Sequence, residues 1–465
     1  MMDDDADDDM AEVILDTSGE SRWQCACGMP TSVHVQQSQD RLAILARQLT
    51  QPVAPFAQEQ ALTFTSASAT PLKDSASQEI DRQHDSLRRL CKDIWEHPEV
   101  AYEENRALRT LSDFIASTAG TPVQDKYLGL ETSFRTEFGT GFPKLLICCE
   151  YDALPEIGHA CGHNLIATVA VSTFLGLKKA MESSSIPGTV VLLGTPAEEA
   201  MGGKQELINR GALEGVDCAM MAHPAPGATL YVPFLALTRA FVTFKGRSAH
   251  ASAAPWAGIN ALDAMLVAFH GISAARQQMK PTWRVHGVIT NGGLKPNIIP
   301  DLTEAEFAIR APDNSELADL KRMIQRCFDA AAMATGCDME VEWCSNESKR
   351  LGHEYSTMKY NGVMNEIYRA NAAHFGRRFS PKVVEEAMPS GSTDMGNISH
   401  VVPSIHPNFR IRTKFPNHHV GFTEAAGSPE ALDEAVLTSK ILAMTALDLF
   451  TDAGHLTSAR EEFLR

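Results

Sequence analysis

Residues 144–165 read KLLICCEYDALPEIGHACGHNL, and this stretch indicates the fold class. It starts with a short, continuous apolar run at residues 145–149, which is typical of a strand buried on both faces. A polar loop follows, and then an apolar run at 165–181 that has the length of a helix. The alternation continues with a strand, a helix and a strand predicted at residues 189–193, 205–213 and 218–222. Strands that alternate with helices predict a parallel sheet with crossover helices.

The pattern changes near residue 237. From residue 240 to 343 we predict the order strand, helix, strand, strand, helix, strand, which describes a split β-α-β module. The chain is therefore expected to be an α/β protein with a mixed, largely parallel sheet and flanking helices, interrupted by an inserted α+β module. The predicted division is an extension at residues 1–77, a main domain at 78–237 and 348–465, and the insert at 238–347.

The composition argues against several classes of protein. The 465 residues carry a net charge of −17, which disfavours a nucleic-acid binder because phosphate binding needs clustered Lys and Arg. Seven aspartates and one glutamate lie within residues 1–16, at the start of an acidic, Ser/Thr/Gln-rich extension that is predicted to be disordered. Neither a secretory leader nor an apolar run of ~18 residues occurs, so no export and no membrane span are predicted. Ten cysteines without an export signal indicate reduced thiols and a cytosolic location.

Three predicted strands are each followed by residue types that bind metals. Cys161 and His163 follow the first, Glu198 and Glu199 follow the second, and His223 follows the third. In open α/β sheets the carboxyl ends of the strands meet at one edge, where ligands bind. Adjacent carboxylates at such an edge repel each other unless a cation or a proton intervenes. The coincidence of thiol, imidazole and carboxylate groups at one edge predicts a metal site.

Longer motifs resemble those of the M20 metallopeptidases, and in particular the amidohydrolase branch in which a cysteine replaces the metal-bridging aspartate. The motifs are EYDALP at 150–155, GHACGHN at 158–164, PAEE at 196–199, GGLKPNIIP at 292–300, SGSTD at 390–394 and TEAAGS at 423–428. The resemblance covers about residues 78–465. It implies that the insert is a lid and dimerisation domain and that the protein is a homodimer joined through it.

The resemblance also implies a set of metal ligands. When the ligand positions of the family are matched to this sequence one by one, four of them fall on Cys161, His163, Glu199 and His223. The last ligand is a histidine near the C-terminus, for which His418 is favoured over the adjacent His419, while His406 is left as a pocket residue. The implied cofactor is a pair of divalent ions. A thiolate bridge is softer than a carboxylate, and zinc, manganese, cobalt and nickel all fit such a site.

The same resemblance implies roles for neighbouring residues. Glu198 is the general base, and Asp152 is the acid that orients a metal ligand. His250 is implied to stabilise the oxyanion of the scissile carbonyl, commonly from the partner subunit of a dimer. Contacts to the substrate, including its carboxylate, are implied for Asn297, Arg310, Gly391 and Ser392.

Together these inferences predict a cytosolic hydrolase that cleaves an amide bond next to a free carboxylate. The resemblance implies most directly a dipeptidase for small dipeptides with a basic C-terminal residue. An N-acyl-amino-acid amidohydrolase would use identical metals and would differ in the pocket for the acyl group. A non-catalytic scaffold of the same fold is a third alternative, although a scaffold has no need of the base Glu198.

Overall fold

A computed structural model describes residues 70–184, 186–388 and 391–465. The helices of these residues are α1 Thr70–Arg82, α2 His84–Glu96, α3 Asn105–Ala119, α4 His163–Glu182, α5 Gly203–Asn209, α6 Ala261–Ala275, α7 Asn314–Thr335, α8 Gly362–His374, α9 Lys382–Glu385, α10 Met395–Ser399, α11 Val420–Ala426, α12 Pro429–Thr451 and α13 Ala453–Phe463. The strands are β1 Gln124–Asp125, β2 Phe134–Thr140, β3 Lys144–Cys149, β4 Gly188–Gly194, β5 Cys218–Met220, β6 His223–Ala225, β7 Ala236–Lys245, β8 Arg284–Asn291, β9 Leu302–Ala311, β10 Asp338–Trp343, β11 Ser404–Ile405 and β12 Asn408–Arg410. No helix within these ranges has the length and apolar character needed to cross a bilayer.

The larger sheet has six strands in the order β1-β2-β4-β3-β5-β11. The neighbours β4, β3, β5 and β11 run parallel, whereas β1 and β2 add an antiparallel pair at one edge. Helices α4 and α12 are buried over most of their circumference and pack against each other beside this sheet. Strands β3 and β4 are apolar along almost their whole length because they lie in the interior. The predicted mixed, largely parallel sheet with flanking helices is confirmed.

The insert forms its own sheet of four antiparallel strands in the order β10-β7-β9-β8. Strand β9 alternates between buried and partly exposed residues, and its buried side chains pack under helices α6 and α7. Those side chains belong to Thr303, Ala305, Phe307, Ile309 and Ala311. The observed order of strands and helices is the one that the sequence predicts for a split β-α-β module.

Helix α1 begins at Thr70, inside the segment that the sequence analysis assigned to the extension at residues 1–77. The ammonium group of Lys73 is buried and lies 2.7 Å from Oδ2 of Asp448 and 2.9 Å from Oδ1 of Asn371. Both partners lie far along the chain, so no local pattern reveals that this polar segment is ordered. Residues 70–77 of the predicted extension are therefore helical, and residues 1–69 lie outside the described residues.

Two features of the topology position the functional site. The carboxyl ends of β3, β4 and β5 lie side by side, and a parallel ribbon of β6 and β12 continues beyond them with His223 opposite Asn408. Where the insert joins the main domain, Leu237 and Tyr355 exchange two backbone hydrogen bonds of 2.9 Å each. We call this pair of chain segments, around Leu237 and Tyr355, the link.

Candidate metal centre and active site

The loop between β3 and α4 presents two ligand types at the start of the helix. Cys161 precedes the helix, Gly162 caps it with φ of 80°, and His163 is its first residue. A Cβ atom at Gly162 would lie 2.6 Å from Cγ of Pro224, so only glycine allows the loop to approach the ribbon this closely. The tight turn therefore aims thiol and imidazole at the same point beyond the sheet.

The predicted ligands converge as expected for residues that follow neighbouring parallel strands. One ligand atom each from Cys161, His163 and His223 lie within 4.8 Å of one another, and the same holds for Cys161, Glu199 and His418. The two groups share Cys161, the position at which the resemblance implies a bridging ligand. The Sγ atom of Cys161 lies 3.3 Å from Nε2 of His223, and Nε2 of His418 lies 3.3 Å from Oε2 of Glu199.

Asp152 orients this group of side chains. Nδ1 of His163 donates a hydrogen bond to Oδ1 of Asp152 at 2.9 Å, and Oδ2 of Asp152 accepts one from the backbone N–H of Glu199 at 3.0 Å. Burial alone would raise the pKa of Asp152, but the charge and the hydrogen bond of His163 outweigh it and lower that pKa below its ordinary value. The bond through Nδ1 leaves Nε2 of His163 to face the cluster, as in a histidine prepared to bind a metal.

The structure separates the three C-terminal histidines. His418 adopts φ of 68° and its backbone N–H donates to the carbonyl of Ala160 at 2.9 Å, which turns the side chain towards Glu199. His419 points elsewhere: its Nδ1 accepts from Gly421 N–H at 2.9 Å, and its ring stacks on Phe415. His406 is fully buried with its ring centroid 5.6 Å from that of His223, and it is in neither ligand group.

Several atoms of the cluster lack the partners that buried polar atoms normally have. Nε2 of His163 and Oε1 of Glu199 are buried and form no hydrogen bond within the described residues. His223 donates from Nδ1 to the carbonyl of Pro224 at 2.8 Å, so its Nε2 is turned towards Cys161. Thiol, imidazole and carboxylate donors aimed at one point, with two of them unsatisfied, fit divalent metal ions.

Glu198 lies beside the ligand groups and at the cleft. Its Oε2 atom is 3.9 Å from Nε2 of His163, and the residue is 6% exposed. Burial, together with the nearby carboxylates of Glu150 and Glu199, raises the pKa of Glu198 well above its ordinary value. A carboxylate with a raised pKa next to a ligand cluster has the chemical character of a general base.

The cleft above the cluster contains three of the four predicted substrate residues. It has a volume of ≈ 560 Å³ and is lined by Glu198, Arg310, Gly391 and Ser392 among others. Arg310, at the end of β9, donates from Nη1 to Oγ of Ser392 at 3.1 Å. A guanidinium group at the wall of a cleft that also holds the candidate base can bind a carboxylate of the substrate.

His250 and Asn297 lie outside the cleft, on the insert. Both are exposed residues of the insert, and they are adjacent because the backbone N–H of Ala251 donates to the carbonyl of Asn297 at 3.1 Å. The Nδ1 atom of His250 accepts from the N–H of Ala253 at 3.2 Å. Neither His250 nor Asn297 lines the cleft of its own chain in the described residues. The structure thus groups these two predicted residues with each other but not with the ligand cluster.

Sequence reasoning missed a buried ion network below Glu198. The ammonium group of Lys204 contacts Glu150 and lies 2.6 Å from Oδ1 of Asp394, and all three side chains are fully buried. Glu104, also missed, accepts the backbone N–H of Ala197 at 2.9 Å, and burial raises the pKa of Glu104 to about 8. Glu150 and Asp394 stand within the motifs quoted above, whereas nothing local distinguishes Lys204 or Glu104 from surface residues.

We expect Lys204→Met to lower the free energy of unfolding by about 3 kcal/mol, because it leaves two buried carboxylates without their cation. Lys126→Met is the matched control, since Lys126 pairs with Glu131 at the surface and its loss should cost less than about 1 kcal/mol. Denaturant titration of both variants measures the difference. Equal effects would contradict a stabilising role of the buried network.

One family model and several solved structures are similar to this chain. A family model of the M20 peptidase dimerisation domain matches residues 237–335. A structure from methicillin-resistant Staphylococcus aureus, named as an aminohydrolase, has a TM-score of 0.64 at 17% identity and covers 81% of this chain and 100% of that one. A dinuclear metal-binding M20 peptidase from Bacillus subtilis has a TM-score of 0.61 at 19% identity, with coverage of 80% and 99%. These two structures share the fold of this chain.

Two relatives are much more similar in sequence. The Xaa-Arg dipeptidase of Mus musculus is 44% identical over 415 residues, which are 86% of this chain and 94% of the relative. The Xaa-Arg dipeptidase of Homo sapiens is 43% identical over 411 residues, with coverage of 84% and 92%. The chain belongs to the M20 peptidase family, and it is a hydrolase.

Proposed function

We propose that this protein is a metal-dependent dipeptidase that hydrolyses the amide bond next to a free C-terminal carboxylate. The observation that carries the proposal is the position of Glu198. It lines a cleft that Arg310 also lines, and it lies 3.9 Å from His163, a member of one of the two ligand groups that share Cys161. The names of the 43–44% identical relatives support a dipeptide with a basic C-terminal residue as the substrate.

The residues that would hold two divalent ions are Cys161, His163, Glu199, His223 and His418. When bound there, such ions lower the pKa of a water molecule and polarise the scissile carbonyl. We propose zinc or manganese, because the site combines a thiolate with imidazole and carboxylate ligands, while cobalt and nickel also fit this donor set. Asp152 holds His163 and the backbone of Glu199 in place throughout.

Glu198 moves the protons in this mechanism. Its carboxylate accepts a proton from the attacking water and then donates it to the nitrogen of the leaving amine. Burial of the side chain shields the carboxylate from bulk water. The backbone of the same residue is fixed by its neighbours on both sides, which limits the movement of the carboxylate.

Arg310, Ser392 and Gly391 are proposed to bind the substrate carboxylate. Arg310→Met should raise KM by about 10- to 100-fold, since a charged hydrogen-bonding partner is lost. Arg284→Met is the matched control, because Arg284 lies opposite Arg310 on β8 but is exposed outside the cleft. Steady-state kinetics with a dipeptide and with its C-terminal amide measure the effect. If Arg310→Met impaired hydrolysis of the amide as strongly as that of the acid, this role would be contradicted.

We further propose a homodimer formed through the insert. The outer strand β8 has one unpaired edge in its sheet, and Val288 on it is 59% exposed. Such an edge can pair across a two-fold axis. The dimer would let His250 and Asn297 of one chain reach the cleft of the other, which explains why they lie outside the cleft of their own chain. His250 would then donate to the oxyanion that develops on the scissile carbonyl.

A panel of substrates tests the function. The metal-loaded protein is incubated with dipeptides ending in arginine, lysine, glutamate or leucine and with the N-acetyl forms of the same amino acids. Preferred cleavage of dipeptides with a basic C-terminal residue supports the proposal. Preferred cleavage of the N-acetyl compounds would instead establish the alternative N-acyl-amino-acid amidohydrolase.

We also propose a cytosolic location for this protein. The eight free thiols in the described part of the chain support it.

A further inference from the structure

The turn that carries Glu198 has an unusual backbone. Ala197, directly before it, adopts φ of 61°, a conformation that non-glycine residues rarely take. The carbonyl of Ala197 accepts from the N–H groups of Met201 and Gly202 at 3.2 and 3.0 Å, which closes the turn. A strained conformation of this kind persists only where the surroundings hold it firmly.

Side chains of the main domain hold the N–H groups on both sides of Glu198. Glu104 accepts from the N–H of Ala197 at 2.9 Å, and Asp152 accepts from the N–H of Glu199 at 3.0 Å. The first bond fixes the peptide unit between Pro196 and Ala197, and the second fixes the planar peptide unit between Glu198 and Glu199. The carbonyl of Glu198 belongs to that second unit and points away from Asp152, because N–H and C=O of a trans peptide face opposite sides.

That carbonyl is held from the link. The hydroxyl of Tyr355 donates a hydrogen bond to it, and the ring of Tyr355 is 6% exposed and lines the same cleft. The backbone of Tyr355 pairs with Leu237, which lies at the start of the insert. Two further contacts join the same region to the turn: Arg239 of β7 donates to the carbonyl of Ala200, and the N–H of His353 donates to the carbonyl of Met201 at 3.1 Å.

We propose that Tyr355 is a positioning residue for the general base: its hydroxyl, carried by the link, fixes the backbone of Glu198 and transmits the position of the insert to it. The inference rests on the proposed role of Glu198. It assigns to the link a function in the reaction, in addition to its role in joining the insert to the main domain. Three separate contacts from the link and from β7 end on the carbonyls of three residues of the turn, Glu198, Ala200 and Met201, so a shift of the link shifts the turn.

The test is Tyr355→Phe, which removes the hydroxyl and keeps the ring. We expect kcat to fall by about 10- to 100-fold while KM stays within about twofold, since the base is displaced and the substrate contacts remain. Tyr360→Phe is the matched control: the buried hydroxyl of Tyr360 donates to the carbonyl of Val232 at 2.6 Å, in the same part of the chain. That control should keep kcat within about twofold of the wild type.

Melting temperature and metal content, measured for both variants, show whether each is folded and loaded. A kcat for Tyr355→Phe within twofold of the wild type, or an equal fall in Tyr360→Phe, would overturn the inference. Glu198→Gln is assayed in parallel to keep the two proposals apart. An inactive Glu198→Gln with an unaffected Tyr355→Phe would reject only the positioning role. An active Glu198→Gln would reject the base itself.

Discussion

Glu198→Gln is expected to lower kcat by ~10²-fold or more, with the metal content and the melting temperature unchanged. The amide has the size of the carboxylate and can occupy the same buried position, but it cannot accept the proton of the attacking water. Hydrolysis of a dipeptide, metal analysis and thermal unfolding of the purified variant measure the three quantities.

Glu199→Gln provides the contrast, because it changes the neighbouring residue in the same way. Glu199 belongs to a ligand group with Cys161 and His418, whereas Glu198 lies in neither of the groups that contain Cys161 and interacts electrostatically with the buried Lys204. We therefore expect Glu199→Gln to lose both metal and turnover. A Glu198→Gln variant that hydrolyses the dipeptide at a near-normal rate would remove Glu198 from the mechanism.

His250→Ala is expected to lower kcat by ~10²- to 10³-fold with little change in KM, as for the loss of other oxyanion donors. If His250 acts across the dimer, mixing inactive His250→Ala with inactive Glu199→Ala should restore activity. Each heterodimer then contains one intact site, with the ligands of the first chain and His250 of the second. Co-expression with two different affinity tags isolates the heterodimer.

The control for this experiment is His374→Ala, which changes an exposed histidine outside the cleft and the insert. It should keep kcat within about twofold of the wild type. A pure heterodimer without restored activity would contradict the action of His250 from the partner subunit. We expect His250 to act from the partner subunit, because it does not line the cleft of its own chain among the described residues.

The sequence predicted those parts of the site that depend on strand order. Cys161, Glu199 and His223 follow three strands of one parallel sheet, and parallel strands bring their carboxyl ends together whatever the intervening loops are. The split β-α-β order of the insert could be predicted because its strand and helix patterns follow one another along a single stretch of chain, from residue 240 to 343.

Other parts depend on contacts between distant segments and could not be predicted. Tyr355 reaches the carbonyl of Glu198 across 157 positions of the chain, and Lys204 reaches Asp394 across 190. Lys73 is ordered by Asp448 near the other end of the protein. In each case a local segment of ordinary polar composition is fixed by a buried partner. The adjacent residues His418 and His419 were separated by the structure, because only the positive φ of His418 turns its side chain to Glu199.

Hydrolysis is expected to depend on metal held by the group around Cys161. The experiment removes metal from the protein and titrates it with zinc or manganese while bound metal and dipeptide hydrolysis are measured on the same samples. We predict no hydrolysis without metal and a rate that reaches its maximum as the second ion per chain binds, with Cys161→Ala unable to reach that occupancy. Full hydrolysis by the metal-free protein, or by Cys161→Ala with less than one bound ion per chain, would contradict a metal-dependent mechanism at this site.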